Sequence, residues 1–466
     1  MARMAENKTE SYGSPAMMTL VRLLSALVPG KGRRKRLRRE WINRVQQRWL
    51  ANFLPRWRRH YDELEATCRE RAARGEKLRV LFLVMDASMF SAEPIFAEMR
   101  DDPRWEPSIA IIPDRLREAA FAKARSEKAF RLLSERYPGY VRHLQDPETG
   151  TVEELRGRVD LVFTSNPYPD QSLAVVAARE LGQHALIAYI PYSYGGHLMA
   201  PARRQVLRPE MSLFWRVLTA NPEAVKLWGE ANPFLKDNLL AVGYPKMDRL
   251  ETERQKAAGR PHPEKVVVLS PHHSIDKESD GLTMSNFLKY SDLLLKLPHD
   301  YPQVKFVFRP HPLLRERLSR PNWWGPEKTA QWFDRMASAP NVECQDGGDY
   351  FATFATADAL IHDCGSFLPE FFYTLKPQCF LVKDPEHVRT EFSPFGHHLL
   401  DHVYTAREET DIRRFLDEVV LQGNDRLVSA RGEYARNVVC INHPHAAGQL
   451  ISRLAERFGL QPLTRP

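Results

Sequence analysis

The sequence predicts an α/β protein with two doubly wound, Rossmann-like parallel sheets that face a cleft, preceded by a basic helical arm. The chain has 466 residues, too many for one ordinary hydrophobic core. Short apolar segments alternate with helical ones, which is typical of parallel sheets covered on both faces. The alternation starts again after a polar segment at 251–264. The expected units are therefore the arm at 1–75, a first domain at 76–245 and a second domain at 246–466.

The arm carries the positive charge of the chain. Residues 1–60 contain 15 Lys and Arg against 3 Asp and Glu, a net of +12, so the other 406 residues carry −4 of the total of +8. Two amphipathic helices are predicted, interrupted by Pro29, Gly30 and Gly32. Their apolar faces hold Leu20, Leu23, Leu24 and Leu27, then Trp41, Val45, Trp49 and Phe53. Such helices are typical of an anionic membrane surface, although a solvated basic helix packed on the body has the same composition.

The same region contains no predicted membrane span or signal peptide. Its longest apolar stretch, Met17–Val28, has 12 residues and includes Arg22, whereas a span needs about 20 apolar residues. The basic run at 31–39 follows the apolar stretch, whereas a signal peptide has its charges first. The five cysteines form no CxxC pair, which argues against disulfides and structural zinc. We expect a cytoplasmic protein that lies peripherally on the inner face of the cell membrane.

Apolar runs predict nine strands and several helices. The first domain has five predicted strands: Arg79–Met85, Ser108–Ile112, Asp160–Thr164, Ala185–Ile190 and Leu239–Val242. The second has four: Val266–Ser270, Lys305–Arg309, Asp358–His362 and Cys379–Val382. Helices are predicted at Ala92–Arg100, Ser285–Lys296 and after Ser366. A last helix, Leu450–Phe458, is expected to pack back on the first domain, as in the GT-B architecture.

Two histidine-bearing loops follow strands of the second domain, where parallel sheets bind ligands. Arg309 and His311 belong to the loop Arg-Pro-His-Pro, and such a pair can hold a diphosphate and neutralise a leaving phosphate. His272 and His273 follow the strand VVVLS and could contact donor phosphate or acceptor. Either loop could instead be a plain turn. Adjacent histidines point in different directions, so we expect no metal site, although His272, His273 and His311 could converge with His262 in space.

A third loop, Asp363-Cys364-Gly365-Ser366, separates a strand from a predicted helix. Small residues such as Gly365 let a ligand approach the backbone, and Ser366 is placed to cap the helix. A helix N-terminus is suited to phosphate. Glu370 lies one turn further and could accept hydrogen bonds from ribose hydroxyls, or merely complement the helix dipole.

Two further loops lie in the first domain and at the domain junction. Gly243-Tyr244-Pro245-Lys246-Met247-Asp248 could turn Lys246 and Asp248 towards the cleft, or could be a structured linker. The loop at 191–197, Pro-Tyr-Ser-Tyr-Gly-Gly-His, ends in His197, a candidate base for an acceptor hydroxyl. No GxxxxGK[ST] motif is present in the sequence, which argues against an ordinary P-loop ATPase.

In order, these motifs resemble those of the CDP-glycerol glycerophosphotransferase family, which builds teichoic-acid or capsule-type polymers. The resemblance rests on GYPKMD at 243–248, Arg-Pro-His-Pro at 309–312, and DCGSFLPEF at 363–371 followed by Leu-Lys-Pro at 375–377. It is close over 243–377 and loose in the first domain. The family's paired serines are Gly365 and Ser366 here, and its second Asp is Glu370. Its His-Gly-Thr stretch, which supplies a catalytic His, has no clean counterpart, and His197 is the substitute.

The resemblance implies transfer of glycerol phosphate, or a similar polyol phosphate, from a CDP-activated donor to a hydroxyl of a lipid-linked or polymeric acceptor, with release of CMP. It makes His311 and His197 the catalytic candidates. No bound cofactor is expected, since CDP-glycerol is a substrate, and the chemistry is compatible with Mg²⁺. The implied donor contacts are Arg309, Asp363, Gly365, Ser366, Glu370, His272, His273 and Lys246.

Two alternatives stay open at this point. One is a GT-B glycosyltransferase that uses a nucleotide sugar. The other is a non-catalytic protein that binds nucleic acid, or acts as a scaffold, through its basic arm. The acidic body and the absence of RRM, KH or helix-turn-helix signatures in the sequence argue against nucleic acid. The oligomeric state is not predicted.

Overall fold

The fold contains two parallel sheets, as predicted. The computed structural model describes residues 12, 15–194, 203–258, 264–276 and 283–462. The first sheet has the order β3-β2-β1-β4-β5-β6-β7 and the second has the order β10-β9-β8-β11-β12-β13. The strands are β1 Leu78–Val84, β2 Trp105–Ile111, β3 Val141–His143, β4 Leu161–Thr164, β5 Leu186–Tyr189, β6 Arg216–Thr219, β7 Leu239–Ala241, β8 Lys265–Ser270, β9 Val304–Phe308, β10 Val342–Cys344, β11 Ala359–His362, β12 Gln378–Leu381 and β13 Tyr404–Ala406.

Helices cover both sheets and form the N-terminal arm. The described α-helices are α1 Pro15–Ala26, α2 Lys31–Ala73, α3 Glu93–Arg100, α4 Ala119–Arg136, α5 Ala178–Leu181, α6 Arg203–Val206, α7 Pro222–Ala231, α8 Asp248–Ala257, α9 Phe287–Asp300, α10 Leu313–Leu318, α11 Gly325–Ala337, α12 Phe351–Thr356, α13 Phe367–Glu370, α14 Pro385–Glu391, α15 Pro394–Leu400, α16 Glu409–Arg414, α17 Val428–Tyr434 and α18 Ala446–Phe458. Two π-helical segments, Phe415–Leu421 and Ala435–Val439, follow α16 and α17.

All nine predicted strands are present, and four more were missed. Three of the missed strands, β3, β10 and β13, are edge strands of three residues that are mostly not buried, so they lack an apolar run. The prediction of a polar linker at 251–264 is wrong in part, because α8 extends to Ala257. This helix buries only Leu250 and carries many charges, so its sequence is like that of a loop.

The arm consists of α1 and the long helix α2. Leu50, Leu54, Trp57 and Tyr61 recur at helical spacing and are buried. The indole of Trp57 and the hydroxyl of Tyr61 donate to the carbonyl of Leu213, which anchors this part of α2 to the first domain. The predicted break lies at 27–30, and Gly32 is inside α2. Among the described residues, no helix combines the length and apolar composition that a bilayer span requires.

The two domains are joined where α18 returns to the first domain. Leu450, Leu454 and Phe458 of this helix belong to the core around the first sheet. The loop at 243–248 holds the returning chain: Gly243 has φ +87°, and a Cβ atom there would lie 2.4 Å from the carbonyl oxygen of Ile441. One carboxylate oxygen of Asp248 accepts from the amide of Ala447 at 2.9 Å. Asp248 therefore packs against α18 at the domain junction, which fits the alternative of a structured linker.

Candidate functional site

Three loops meet at the carboxyl edge of the second sheet. Strands β9, β8 and β11 are neighbours in the sheet order, so the loops that follow them are brought side by side. The imidazole centroids of His273 and His311 are 4.0 Å apart, and that of His272 lies 4.2 Å from His273 and 5.1 Å from His311. We call these three residues the histidine cluster. Two loops separated by nearly 40 residues in sequence therefore build one site.

Backbone amides determine where the imidazole protons lie. The amide of Ser274 donates to Nδ1 of His272 at 3.3 Å, and the amide of Leu313 donates to Nδ1 of His311 at 3.2 Å. Nδ1 of His272 also lies 2.7 Å from Oγ of Ser274, which accepts from the amide of Met284. We assign Nδ1 as the acceptor in both rings, which places the proton of each neutral ring at Nε2. Nδ1 of His273 is buried and has no hydrogen-bond partner among the described residues. The Nε2–H groups of His272 and His311 are therefore the two donors available to a ligand.

The histidines are neutral at ordinary pH. Burial, and then the charges of Arg317 and the other histidines, lower the pKa of His272 well below its usual value. Burial also lowers the pKa of His273 to about 3 and that of His311 to about 4. The charges of His311 and Arg317 add to the shift at His273, and the charge of Arg317 adds to the shift at His311. A ligand with negative charge would raise these pKa values, because it would stabilise the protonated rings.

The histidine cluster fits an anion better than a cation. One ring nitrogen from each residue lies within 4.8 Å of the others, which is near enough for a metal site to be considered. Ligation through Nε2, however, would require the proton to move to Nδ1, where the amides of Ser274 and Leu313 already donate. A metal would therefore cost both backbone hydrogen bonds.

Asp363 bonds the backbone of the loop that carries His272. It is fully buried, and its two carboxylate oxygens accept from the amides of His272 and Asn286. Burial raises its pKa to about 7 despite these hydrogen bonds. Both oxygens accept hydrogen bonds from backbone amides, so Asp363 holds the loop of His272 in position. The predicted contact between Asp363 and donor remains a prediction.

Arg309 and Ser366 are placed differently from what their motifs suggested. The guanidinium of Arg309 is buried and donates to Oε1 of Gln345 at 2.9 Å and to the carbonyl of Gly348 at 2.6 Å. Ser366 occupies the predicted N-cap position of α13, but it makes no side-chain capping hydrogen bond. Its backbone is already helical, and its Oγ lies 3.3 Å from Sγ of Cys364. Gly365 is buried between them.

The predicted helix after Ser366 is also shorter than expected. It comprises one α-helical turn, α13, and a 3₁₀ turn at Phe371–Thr374 that ends at Leu375 in the left-handed region. One turn provides a weaker dipole than a long helix does. A phosphate at this loop would therefore depend more on side chains than the motif suggested.

Glu370 and Lys246 form a buried contact at the domain junction. The hydroxyl of Tyr350 donates to one oxygen of Glu370 at 2.7 Å, and that of Tyr244 donates to the other at 3.4 Å. Nζ of Lys246 lies 3.9 Å from Glu370 and 5.0 Å from the centre of the Tyr350 ring. Burial raises the pKa of Glu370. Glu370 is only 1% exposed, so ribose contact by this residue is still only a prediction.

The predicted first-domain base, His197, lies outside the described residues. The loop that leads to it is described as far as Tyr194. The hydroxyl of Tyr194 donates to the carbonyl of Val439, and the carbonyl of Tyr192 accepts from Tyr244. Tyr194 is therefore a contact between the domains.

Two cations near the cluster were missed by the sequence analysis. Arg317 on α10 lies 3.5 Å from Asp276, which also accepts from the indole of Trp323. Its charge lowers the pKa of all three histidines. Lys383 follows β12, and the charge of Asp363 acts on it. The rule that ligands bind beyond strand ends could have indicated Lys383, whereas Arg317 carries no motif.

Comparison with a family model identifies the region that contains this site. Residues 200–412 match the model of the family described as CDP-Glycerol:Poly(glycerophosphate) glycerophosphotransferase. The matched stretch includes all three loops of the site, and it confirms the resemblance inferred from their motifs. No curated protein matches the chain.

Solved structures show the same overall fold. A structure of the wall teichoic acid polymerase TagF is 14% identical, with a TM-score of 0.55 over 82% of this chain and 89% of that chain. UDP-GlcNAc 2-epimerase from Neisseria meningitidis, bound to UDP-GlcNAc, is 13% identical, with a TM-score of 0.50 over 82% of this chain and 100% of that chain. At such identities the likeness is one of fold, and it supports the predicted GT-B class.

Proposed function

We propose a specific reaction from the premise that this chain contains a domain of the CDP-glycerol glycerophosphotransferase family and is a transferase of that type. The chain transfers glycerol phosphate, or a similar polyol phosphate, from a CDP-activated donor to a hydroxyl of a lipid-linked or polymeric acceptor in cell-envelope polymer synthesis. The observation that carries this proposal is the pair of Nε2–H donors on His272 and His311, beside Arg317, at the carboxyl edge of the second sheet.

The donor diphosphate binds at the histidine cluster. Neutral Nε2–H groups donate to its oxygens, and Arg317 supplies charge near them. The histidine pKa values rise when the anion binds, so part of the charge that develops on the leaving phosphate is met by proton uptake. Asp363 and Arg309 position the loops of the site, and the donor contacts predicted for these two residues remain predictions. Mg²⁺ is compatible with the diphosphate but has no role in these steps.

The transfer exchanges one P–O bond for another. The acceptor oxygen bonds to the glycerol-bearing phosphorus while the bond from that phosphorus to the bridging oxygen breaks, and CMP leaves with the bridging oxygen. The acceptor proton passes to a general base, for which His197 is the candidate. Most of the rate enhancement comes from positioning and from charge stabilisation at the leaving phosphate.

The arm places the reaction at an anionic membrane surface. Leu23 and Leu27 are 63% and 80% exposed on or just after α1, and the basic start of α2 follows. Exposed leucines beside arginines match the interface of anionic lipid and water. A double change, Leu23→Ser with Leu27→Ser, should abolish most sedimentation with phosphatidylglycerol vesicles. Unchanged sedimentation would contradict this role for the arm.

The reaction is tested by CMP release from CDP-glycerol with a short polyol-phosphate acceptor. His311→Gln and His272→Gln should each lower kcat/KM by about 100-fold, because each removes a donor to the developing charge. His143→Gln is the matched control, since His143 stacks on Phe130 in the first domain, with ring centroids 4.4 Å apart. Thermal unfolding verifies that each variant is folded.

Other donors separate the alternatives. Turnover of CDP-ribitol in place of CDP-glycerol would keep the reaction and change the polyol. Turnover of a nucleotide sugar alone would indicate a glycosyltransferase. If CDP-glycerol, CDP-ribitol and nucleotide sugars are all inert, and nucleic acid binds with strong salt dependence, the transferase proposal fails.

A further inference from the structure

A second cavity lies far from the histidine cluster, under the C-terminal helix. It has a volume of about 510 Å³, within the range of small-molecule sites. Its floor is one face of the first sheet, because the strand register pairs Phe163 with Ala188, Ala188 with Arg216, and Leu218 with Leu240, and alternate residues of a strand share a face. The cavity reaches the amino ends of β6 and β7, whereas the reaction site lies at carboxyl ends.

The roof of the cavity is one face of α18. Leu450, Arg453, Leu454 and Arg457 line it, and their spacing of three and four residues places them on one side of a helix. Leu450 and Leu454 are buried in the first core, whereas Arg453 and Arg457 are exposed at the rim. The lining therefore has an apolar interior and a basic margin.

Positive charge exceeds negative charge at this margin. Arg457 donates to Glu65 at 2.6 Å, and Arg216 lies 3.8 Å from the same carboxylate oxygen, so two guanidiniums share one acid. Burial and the charge of Arg457 lower the pKa of Arg216. The hydrogen bond described for Arg453 goes to the carbonyl of Ala241, at 3.3 Å. The lining itself has three arginines, Arg216, Arg453 and Arg457, against two acids, Glu456 and Asp237, the second of which pairs with Arg58 at 2.8 Å.

We propose that this cavity binds an anionic single-chain amphiphile, with its acid group at Arg216 and Arg453 and its hydrocarbon chain on the apolar floor and roof. The hydrocarbon chain would contact the apolar lining at Leu239 and Leu240, which are only partly buried, whereas Phe163, Leu450 and Leu454 already pack in the first core. An acid group would add a charged acceptor for guanidiniums that bond Glu65 and the carbonyls of Trp215 and Ala241. Arg58 of α2 pairs with Asp237 at the rim, so the cavity adjoins the helix whose other end carries the exposed arm.

The test uses the full chain and 11-(dansylamino)undecanoic acid, a soluble fluorescent amphiphile with one carboxylate. Arg453→Gln removes an exposed charge, and Leu240→Trp fills the cavity. The natural chain should bind one probe per chain. Each substitution should raise the Kd for the probe by about fivefold or more. Arg426→Gln and Val428→Trp are matched controls at exposed positions of the second domain, and they should leave binding unchanged. The methyl ester of the probe should bind more weakly and should not distinguish Arg453→Gln from the natural chain.

Three results would overturn the proposal: no saturable binding, equal weakening by the controls, or loss of binding only in the Leu23→Ser, Leu27→Ser variant, which would place the probe on the arm. Arg453→Gln keeps the test decisive if Leu240→Trp does not fold. CMP release to a soluble acceptor should be unchanged in Arg453→Gln. A natural chain that binds the probe but releases no CMP would therefore contradict the proposed reaction and leave the cavity proposal intact.

Discussion

The loops beyond the two sheets use polar groups in opposite ways. Beyond the first sheet, Arg125 donates to Asp86 at 2.6 Å and to Asp114 at 3.2 Å, so the charges there neutralise one another. Beyond the second sheet, the buried acid Asp363 is used by backbone amides, and His272 and His311 keep donors that no described residue accepts. The charged groups of the first set bond one another, whereas the imidazole donors of the second set are free to bond an anion.

This difference supports the proposal that the second domain binds the donor. Groups that satisfy each other stabilise a loop, whereas desolvated donors of one kind cost free energy until a ligand accepts from them. In the proposed reaction, the diphosphate would supply acceptors for the donors of the second domain. In the first domain, the described loops beyond the strands contain no comparable set of unused donors, which suits an acceptor held by shape and by a separate base.

The largest effect expected to test this comparison is on the unfolding free energy at low pH. The folded pKa of His311, about 4, lies below the value of about 6.5 in an unfolded chain. Its contribution is therefore fully present above pH 6.5 and is lost as pH falls towards 4, because the unfolded chain binds the proton first. The natural protein should lose unfolding free energy between pH 7.5 and pH 4.5, and this loss should be smaller by about 2–3 kcal/mol in His311→Gln. Urea unfolding at both pH values measures the difference.

His143→Gln is the corresponding substitution in the first domain, and its effect on stability in acid is compared with that of His311→Gln. Burial also lowers the pKa of His143, but Glu127 and Asp146 oppose that shift, so its removal should change the acid loss much less. Equal effects of the two substitutions would mean that the histidine cluster is solvated like an ordinary surface, and the comparison between the domains would not hold.

A smaller effect is expected at Glu370, where binding and structural roles can be separated. If its carboxylate serves the contact with Tyr350, Tyr244 and Lys246, Glu370→Gln should lower the unfolding free energy by about 1 kcal/mol and change KM for CDP-glycerol by less than about threefold. Tyr350→Phe removes the partner hydroxyl and should behave similarly. A rise in KM of about tenfold with unchanged stability would instead support the predicted ribose contact.

Local sequence patterns were sufficient for the layout of the fold and of the site. Nine strands followed from apolar runs, because a strand buried on both faces must be apolar along its length. The positions of His272, His311 and Asp363 beyond strand ends followed from the same runs, since ligand sites in parallel sheets lie there. The short edge strands were missed because their residues are largely unburied and show no such run.

The roles of individual side chains depended on contacts between distant parts of the chain. The imidazole protons of His272 and His311 are set by amides in the folded loops, and the guanidinium of Arg309 is held by Gln345 and Gly348, 36 and 39 residues away. Glu370 meets Tyr244 across 126 residues. The amphiphile cavity needs α18 to return over the first sheet. Periodicity along the chain reports which residues are buried, whereas hydrogen-bond partners and cavities are determined only when separate elements pack together.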